Sequence, residues 1–268
     1  MASLTSESVL CLSSNGSIIV TMCDNFAQKV EQAAEWLRDA GRVAALTGAG
    51  VSAESGVPTF REAGGLWEGN RPEEVATPEA FHADPEMVWR FYKARRSGLL
   101  KCRPNPAHEA LAELERICQS FTLITQNVDG LHRAAGSRNV IELHGDIWID
   151  RCRDCDHEER SEEVSEEPVP RCPKCGGMTR PGVVWFGEML PSGAIEAAQT
   201  AAAQCDVMLV IGTSSLVQPA ASLSMFAGQN GARVVEVNPE ATPLTHSADL
   251  VIAEKAGTAV PAFVKRIS

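Results

Sequence analysis

No stretch of this sequence approaches the roughly 20 consecutive apolar residues of a membrane-spanning helix, so no membrane span is expected. Basic residues are in short supply. Only 24 lysines and arginines face 35 acidic residues, for a net charge of -11, which argues against binding nucleic acid through a basic surface. The first two dozen residues have neither a basic start nor a long apolar core, so they do not read as a secretory signal. Residues 1–23 are expected to form a disordered extension, with Met22 as a candidate start of translation just ahead of the first convincing helix. No internal repeat is visible. Tyrosine is almost missing: Tyr92 is the single one.

Cysteine, in contrast, is plentiful and patterned. Cys152 with Cys155 and Cys172 with Cys175 form two CxxC knuckles separated by sixteen residues. That spacing reads as one tetrahedral zinc site, with two disulfides as the alternative. Protein sulfurs would fill all four positions on the metal, which makes the site structural, since a catalytic zinc keeps a position open. Cys11, Cys23, Cys102, Cys118 and Cys205 are scattered. With a zinc–thiolate site they favour a reducing, cytoplasmic location.

The 268 residues, 44% of them hydrophobic, are enough for one large domain and a smaller one. Helical periodicity over 26–37 follows Asp24, an expected N-cap, and ends at Gly41. Short apolar runs at 43–47, 121–125, 207–211, 233–237 and 250–253 then read as buried strands, with a shorter one at 140–143. Helical stretches at 107–119, 191–204, 217–228 and 257–267 lie between or after them. Such alternation predicts a parallel sheet covered on both faces, with ligands beyond the carboxyl ends of its strands. Two segments interrupt the pattern: 61–105, with a helical patch at 85–96, and 146–180, with the knuckles and an acidic run at 156–163 that reads as solvated. Together they are expected to form the small domain, in which zinc substitutes for a core too small to hold itself. The large part would then comprise about 24–60, 106–145 and 181–268.

The strand ends carry the polar residues. Gly48-Ala49-Gly50-Val51-Ser52-Ala53 follows the first strand and fits the G-x-G-x-x-G/A loop that cradles a pyrophosphate. The acidic residue that normally holds the ribose about 20 positions later is missing. Asn238 and Glu240, after the run 233–237, are candidates for that task. Gln126, Asn127 and Asp129 follow the second strand and can hydrogen-bond sugar hydroxyls. Gly212, Thr213 and Ser214 end the third. His144 follows 140–143 and is placed as a general base. His82, His108, His157 and His246 read as solvated or structural, and His132 as structural within its loop. A redox dehydrogenase and a nucleic-acid-binding zinc ribbon are the competing classes. The missing ribose carboxylate weighs against the first, and the acidic charge between the knuckles against the second.

Seven motifs stand in the order found in sirtuins: GAGVSAESGVPTFR at 48–61, TQNVDGLH at 125–132, ELHG at 142–145, the paired knuckles, WFGE at 185–188, GTS at 212–214 and VNPE at 237–240. Over residues 24–268 the chain resembles this family of NAD-dependent protein lysine deacylases. The resemblance implies an α/β fold: a Rossmann-like doubly wound parallel sheet with a smaller zinc-ribbon plus helical domain. NAD as co-substrate and an acyl-lysine protein or peptide would enter the cleft between the two. It implies that Gly48, Ala49, Gly50, Ser52, Thr59, Phe60, Arg61 and Trp67 surround NAD. Gln126, Asn127 and Asp129 would line the nicotinamide and its ribose, and Gly212, Thr213, Ser214, Asn238, Glu240 and Ala256 would hold the remainder. His144 would be the general base that drives acyl transfer to the ribose, giving free lysine, nicotinamide and O-acyl-ADP-ribose. The zinc would do no chemistry. Val184, Phe186, Gly187 and Glu188 resemble the strand that pairs with the substrate peptide.

Tyr92 and Arg95 resemble the Tyr-x-x-Arg pair of desuccinylase-like sirtuins, and Ala63 leaves room for a larger acyl group. The chemistry agrees, because a buried carboxylate needs a fork-shaped cation and a hydroxyl donor. Succinyl or malonyl groups are therefore expected to be preferred over acetyl. Gly182 departs from the family in replacing a larger residue, which puts the rigidity of the following strand in question.

Overall fold

The computed structural model describes residues 22–59 and 71–267. Along the chain run α1 (Met22–Asp39), β1 (Val43–Thr47), α2 (Ala49–Ala53), α3 (Pro72–Val75), α4 (Pro78–Ala83), α5 (Pro85–Leu99), α6 (Pro106–Ile117), β2 (Phe121–Thr125), α7 (Leu131–Ala134) and β3 (Val140–Glu142). Then follow β4 (Gly145–Cys152), β5 (Glu158–Arg160), β6 (Thr179–Val183), α8 (Ser192–Gln204), β7 (Val207–Ile211), α9 (Ser222–Gln229), β8 (Arg233–Val237), β9 (Leu250–Ile252) and α10 (Ala256–Ile267).

The apolar runs become one six-stranded sheet of order β3-β2-β1-β7-β8-β9. Every neighbouring pair in it is parallel. Alternate side chains of a strand leave opposite faces. Val43 and Ala45 of β1 join a core built with α1, α6 and α10, where Val30, Leu37, Leu111, Leu114 and Phe263 are buried. Ala44 and Leu46 join a second core under α8 and α9, lined by Ala198, Ala202, Leu223 and Ala227. Both faces are covered, which is why these strands are apolar throughout. The strand order reverses direction between β1 and β7. That switch point opens a crevice at the carboxyl ends.

A second sheet, β5-β4-β6, is antiparallel and carries the knuckles. It shares a third core with α4 and α5, containing Phe81, Trp89, Tyr92, Ile147, Val183 and Trp185. Arg96 staples the two parts together. Only 1% exposed, it donates from Nε to the Ile147 carbonyl at 2.7 Å and from Nη2 to Asp150 at 2.6 Å. Trp89 Nε1 donates to the Thr179 carbonyl at 2.9 Å.

Some boundaries differ from expectation. α1 begins at Met22, so Asp24 lies in its first turn instead of capping it. α3 and α4 precede the anticipated helical patch. Each of α3 to α6 opens on proline, after Arg71, Thr77, Asp84 or Asn105. Proline just inside a helix start costs no hydrogen bond, and this signal was legible in the sequence. α9 starts at Ser222, later than 217. Gly182 does not loosen its surroundings. It is a buried position of β6, where an added Cβ would lie 2.7 Å from Ile149 Cβ. Glycine is what lets β6 close onto the branched Ile149. Residues 1–21 lie outside the described part.

Candidate active site

The loops after β1 and β7 meet at the switch point. Gly50 N donates to the Gly212 carbonyl at 2.8 Å, and Gly48 N to Ile211 O at 3.1 Å. Gly212 has φ +60°, and a Cβ on it would fall 2.5 Å from Val51 N. Only glycine satisfies both the left-handed backbone and the contact. Ala49 and Ser52 lie in α2, directly past this junction. Thr213 is buried. Its Oγ1 accepts from Gln126 Nε2 at 3.0 Å, and its carbonyl accepts from Asn238 Nδ2 at 2.9 Å. Ser214 is half-buried beside it, and Glu240 is exposed. Ala256 opens α10 and is buried, and the next amide, Gly257 N, donates to Glu54 at 2.8 Å. Among the described residues, Thr59 Oγ1 and Ser215 Oγ are buried without a hydrogen-bond partner. Orphaned buried hydroxyls are uncommon, and they fit the polar groups of a dinucleotide. Phe60, Arg61, Ala63 and Trp67 lie outside the described residues.

Beneath the junction sits a buried polar network. Asn105 N donates to His108 Nδ1 at 3.2 Å, so the His108 proton is on Nε2 and points to Ser52 Oγ at 3.3 Å. Asn127 Nδ2 also donates to Ser52 Oγ, at 3.2 Å, and to the Gly48 carbonyl at 3.0 Å. Ser52 in turn donates to Asp129 Oδ2 at 2.7 Å, while Leu131 N donates to Oδ1 at 2.9 Å. The Ser52 hydroxyl is thereby fully committed within the protein. It sets the position of Asn127 and Asp129. Burial pushes the Asp129 carboxyl above its ordinary range, against the pull of the Leu131 amide and Ser52. Asn105 and His108 were not singled out for this site from the sequence. The Asn-Pro helix start three residues before a histidine was the available signal.

His108 is not solvated. Its ring lies 4.8 Å from that of His132, both buried, and His132 Nε2 lies 3.0 Å from Thr47 Oγ1. Burial pushes His108 down to about 4. Burial and then His108 push His132 down to about 3. Both are neutral when folded and must protonate more readily when unfolded, where the ordinary value is 6.5. Their contribution to stability is complete above about pH 6.5 and is lost as pH falls from there toward 4 and 3. Asp129 acts in the opposite sense, but the two histidines outnumber it. Urea unfolding at pH 7 and pH 5 should therefore give a lower midpoint at pH 5. An equal or higher midpoint would contradict this account.

His144 stands past the end of β3, next to the loop 126–129. Its Nδ1 lies 3.0 Å from the Gln126 carbonyl. A carbonyl only accepts, so Nδ1 carries the proton and Nε2 the lone pair. Burial holds the imidazole below its ordinary value of 6.5, opposed by that same bond. The ring is oriented, neutral near pH 7 and equipped to accept a proton.

On the other wall, Tyr92 is a core residue whose hydroxyl reaches the edge of its core. Trp185 Nε1 donates to it at 3.0 Å, and the Arg95 guanidinium lies 5.5 Å from its ring centre. Burial raises the Tyr92 phenol and lowers Arg95. No carboxylate lies within ion-pair distance of Arg95 among the described residues. Asp129 attracts this half-buried guanidinium from beyond ion-pair distance. Residues 184–188 form a turn and no strand. Val184 N donates to the His144 carbonyl at 2.9 Å and Phe186 N to Ala76 O at 2.9 Å. Gly187 has φ +87°. The Glu188 carboxylate is taken by Arg180 and by Trp185 N at 2.8 Å, so it fastens the turn. The Phe186 side chain is exposed.

The four knuckle cysteines are free thiols whose sulfurs all lie within 4.8 Å of one another. Cys152 and Cys175 sulfurs are 3.4 Å apart and those of Cys155 and Cys172 3.8 Å, too far for disulfides. Sulfurs about 2.3 Å from a tetrahedral zinc would sit roughly 3.8 Å apart, so the cluster fits a structural zinc site. Among the described residues no helix is long and apolar enough to cross a membrane.

Comparison with known proteins agrees with this geometry. The model of the Sir2 family matches residues 48–219. The NAD-dependent protein deacylase of Thermococcus kodakarensis is 51% identical over 242 residues, covering 88% of this chain and 94% of that protein. A crystal structure of a Sir2 homolog–NAD complex superposes with a TM-score of 0.84 at 48% identity, covering 88% of this chain and 93% of that one. The structure of Sir2Af2 bound to a myristoylated histone peptide superposes with a TM-score of 0.74 at 36% identity, covering 90% and 96%. With the glycine junction, the strand-end amides and the four-cysteine cluster all falling within the matched span, this chain belongs to the Sir2 family.

Proposed function

We propose that the protein is an NAD-dependent protein lysine deacylase that prefers succinyl and malonyl groups over acetyl. The observation that carries the reading is His144, locked by the Gln126 carbonyl with Nε2 basic, beside the glycine junction of β1 and β7. NAD, when bound, supplies the ribose carbon that takes the acyl oxygen as nicotinamide leaves. Gly48, Ala49, Gly50, Thr59, Gly212, Thr213, Ser214, Asn238 and Ala256 are the described groups proposed to hold it, with exposed Glu240 at the outer end. Gln126, Asn127 and Asp129 orient its nicotinamide half, supported from below by Ser52 and His108. His144 Nε2 takes the proton from a ribose hydroxyl, which frees that oxygen to receive the acyl group. The turn at Val184, Phe186, Gly187 and Glu188 lies against the peptide that carries the acyl-lysine. The zinc ribbon and α3 to α5 form the small domain, a division supported by their separate core of Phe81, Trp89 and Ile147. A zinc–thiolate cluster among free cysteines supports a reducing compartment, and we place the protein in the cytoplasm.

Acyl preference rests on Arg95 and Tyr92. A succinyl carboxylate would meet the Arg95 guanidinium and the phenolic O–H, whose oxygen already accepts from Trp185. Charge-assisted bonds of this kind contribute about 1.5–3 kcal/mol each. At 1.36 kcal/mol per factor of ten, desuccinylation should exceed deacetylation by about 10–100-fold in kcat/KM. Arg95→Met should abolish most of that preference and spare much of the weaker deacetylation. Assays of acetyl, succinyl and myristoyl peptides on both enzymes decide the matter. Equal loss on acetyl and succinyl peptides would mean that Arg95 does not read the acyl group. A myristoyl peptide as the best substrate would mean that the slot reads chain length and not charge.

A further inference from the structure

Asp129 sits on the loop after β2, yet two consecutive carbonyls of that loop are pinned by the ribbon strand β4. Ile147 N donates to the Val128 carbonyl at 2.9 Å, and Trp148 Nε1 donates to the Asp129 carbonyl at 3.0 Å. The indole edge also covers Gly130. Its Cδ1 lies 3.4 Å from the point where a Gly130 Cβ would stand, and Gly130 has φ +78°. Trp148 is itself held from several directions. Its N–H donates to Asp146 Oδ1 at 2.8 Å, and its carbonyl accepts from Ser161 N at 2.7 Å. The Arg96 guanidinium lies 5.9 Å from its ring centre. Buried Asp146 is in turn paired with Arg160 of β5, which is 48% exposed. A continuous path therefore runs from the ribbon edge through Arg160, Asp146 and Trp148 to the peptide that carries Asp129.

We propose that Trp148 is a positioning residue. Its indole N–H fixes the Asp129 peptide plane, and the Asp146–Arg160 pair makes that placement depend on the zinc ribbon. The inference rests on the reading of Asp129 as part of an NAD-dependent deacylase site. It gives the ribbon a part in the reaction although the metal itself does no chemistry.

Trp148→Phe keeps an aromatic ring and deletes the donor. It should retain one zinc per chain and a melting temperature close to that of the unaltered protein. Its kcat per NAD-binding-competent molecule should fall about 5–10-fold, the size of one hydrogen bond, with the KM for acyl-peptide changed by less than about twofold. Arg160→Met removes the half-exposed partner of Asp146, whose Nη2 also lies 3.7 Å from the point where a Gly130 Cβ would stand, and serves as the second variant. It should lower kcat about two- to threefold, and combined with Trp148→Phe it should add nothing further, because both act through one path. An unchanged kcat in Trp148→Phe, a loss that tracks zinc content alone, or additive losses in the double variant would each overturn the proposal. An unaltered protein without NAD-dependent deacylation would overturn the functional reading itself, which separates the two failures.

Discussion

His144→Ala should lower turnover by about 100-fold or more, in line with the loss of a positioned general base. The residue stands at the end of a three-residue strand, and its side chain makes one bond, Nδ1 to the Gln126 carbonyl. Removing it leaves the β1–β7 junction, the Ser52 network and the cysteine cluster untouched. Zinc content and NAD affinity should therefore persist while chemistry fails. The pH profile gives a second readout. The base works only when neutral, and burial holds its pKa below 6.5. In the unaltered enzyme kcat/KM should rise with pH through a value below about 6.5 and level off above it. In His144→Ala this acid limb should vanish. A His144→Ala enzyme with near-normal deacylation would remove His144 from the reaction.

Cys172→Ser should be the most damaging single change to the fold. Cys172 is 2% exposed, and its sulfur lies 3.8 Å from that of Cys155 within the four-cysteine cluster. Structural zinc in small modules binds with roughly 10–16 kcal/mol, which is comparable to the whole stability of an ordinary domain. The strands it closes, β4 and β6, also supply Ile147 and Val183 to the core shared with α5. Losing the metal should release Arg96 and Trp89 from their carbonyl partners on those strands. The expected result is loss of zinc, of soluble yield and of activity together. Elemental analysis and a thermal melt check it. A zinc-free protein that keeps its melting temperature and activity would show the cluster to be dispensable.

The parallel sheet was legible because its strands are buried on both faces and so appear as unbroken apolar runs. Val207–Ile211, for example, admits no other reading next to a helical period. The spacing of two CxxC turns pointed to one zinc site, and the sulfur distances of 3.4 and 3.8 Å exclude the alternative of two disulfides. What escaped was held by contacts distant in sequence. His108 reads only as solvated or structural, and its bond to Ser52 at 3.3 Å comes from α6 meeting α2, far away in sequence. Glu188 reads as part of the peptide-facing segment, and its bond to Arg180, eight residues earlier, is not visible in the motif. Arg95 and Arg96 are neighbours with opposite fates. One helical step turns Arg96 into the β4 carbonyls and leaves Arg95 beside Tyr92, unpaired among the described residues. Neither outcome follows from helix periodicity, because both positions flank the apolar stripe. Phe186, Gly187 and Glu188 resemble a peptide-pairing strand, and among the described residues they form a turn. Val184 N and Phe186 N are bonded to the His144 and Ala76 carbonyls, contacts that the motif does not show.

The measurement closest to the central claim is a mass spectrum of the products formed from NAD and a succinyl-lysine peptide. The account predicts free lysine peptide, nicotinamide and O-succinyl-ADP-ribose in equal amounts, and none of them without NAD. Peptide deacylated with free succinate and no nicotinamide, or NAD reduced instead of cleaved, would contradict it.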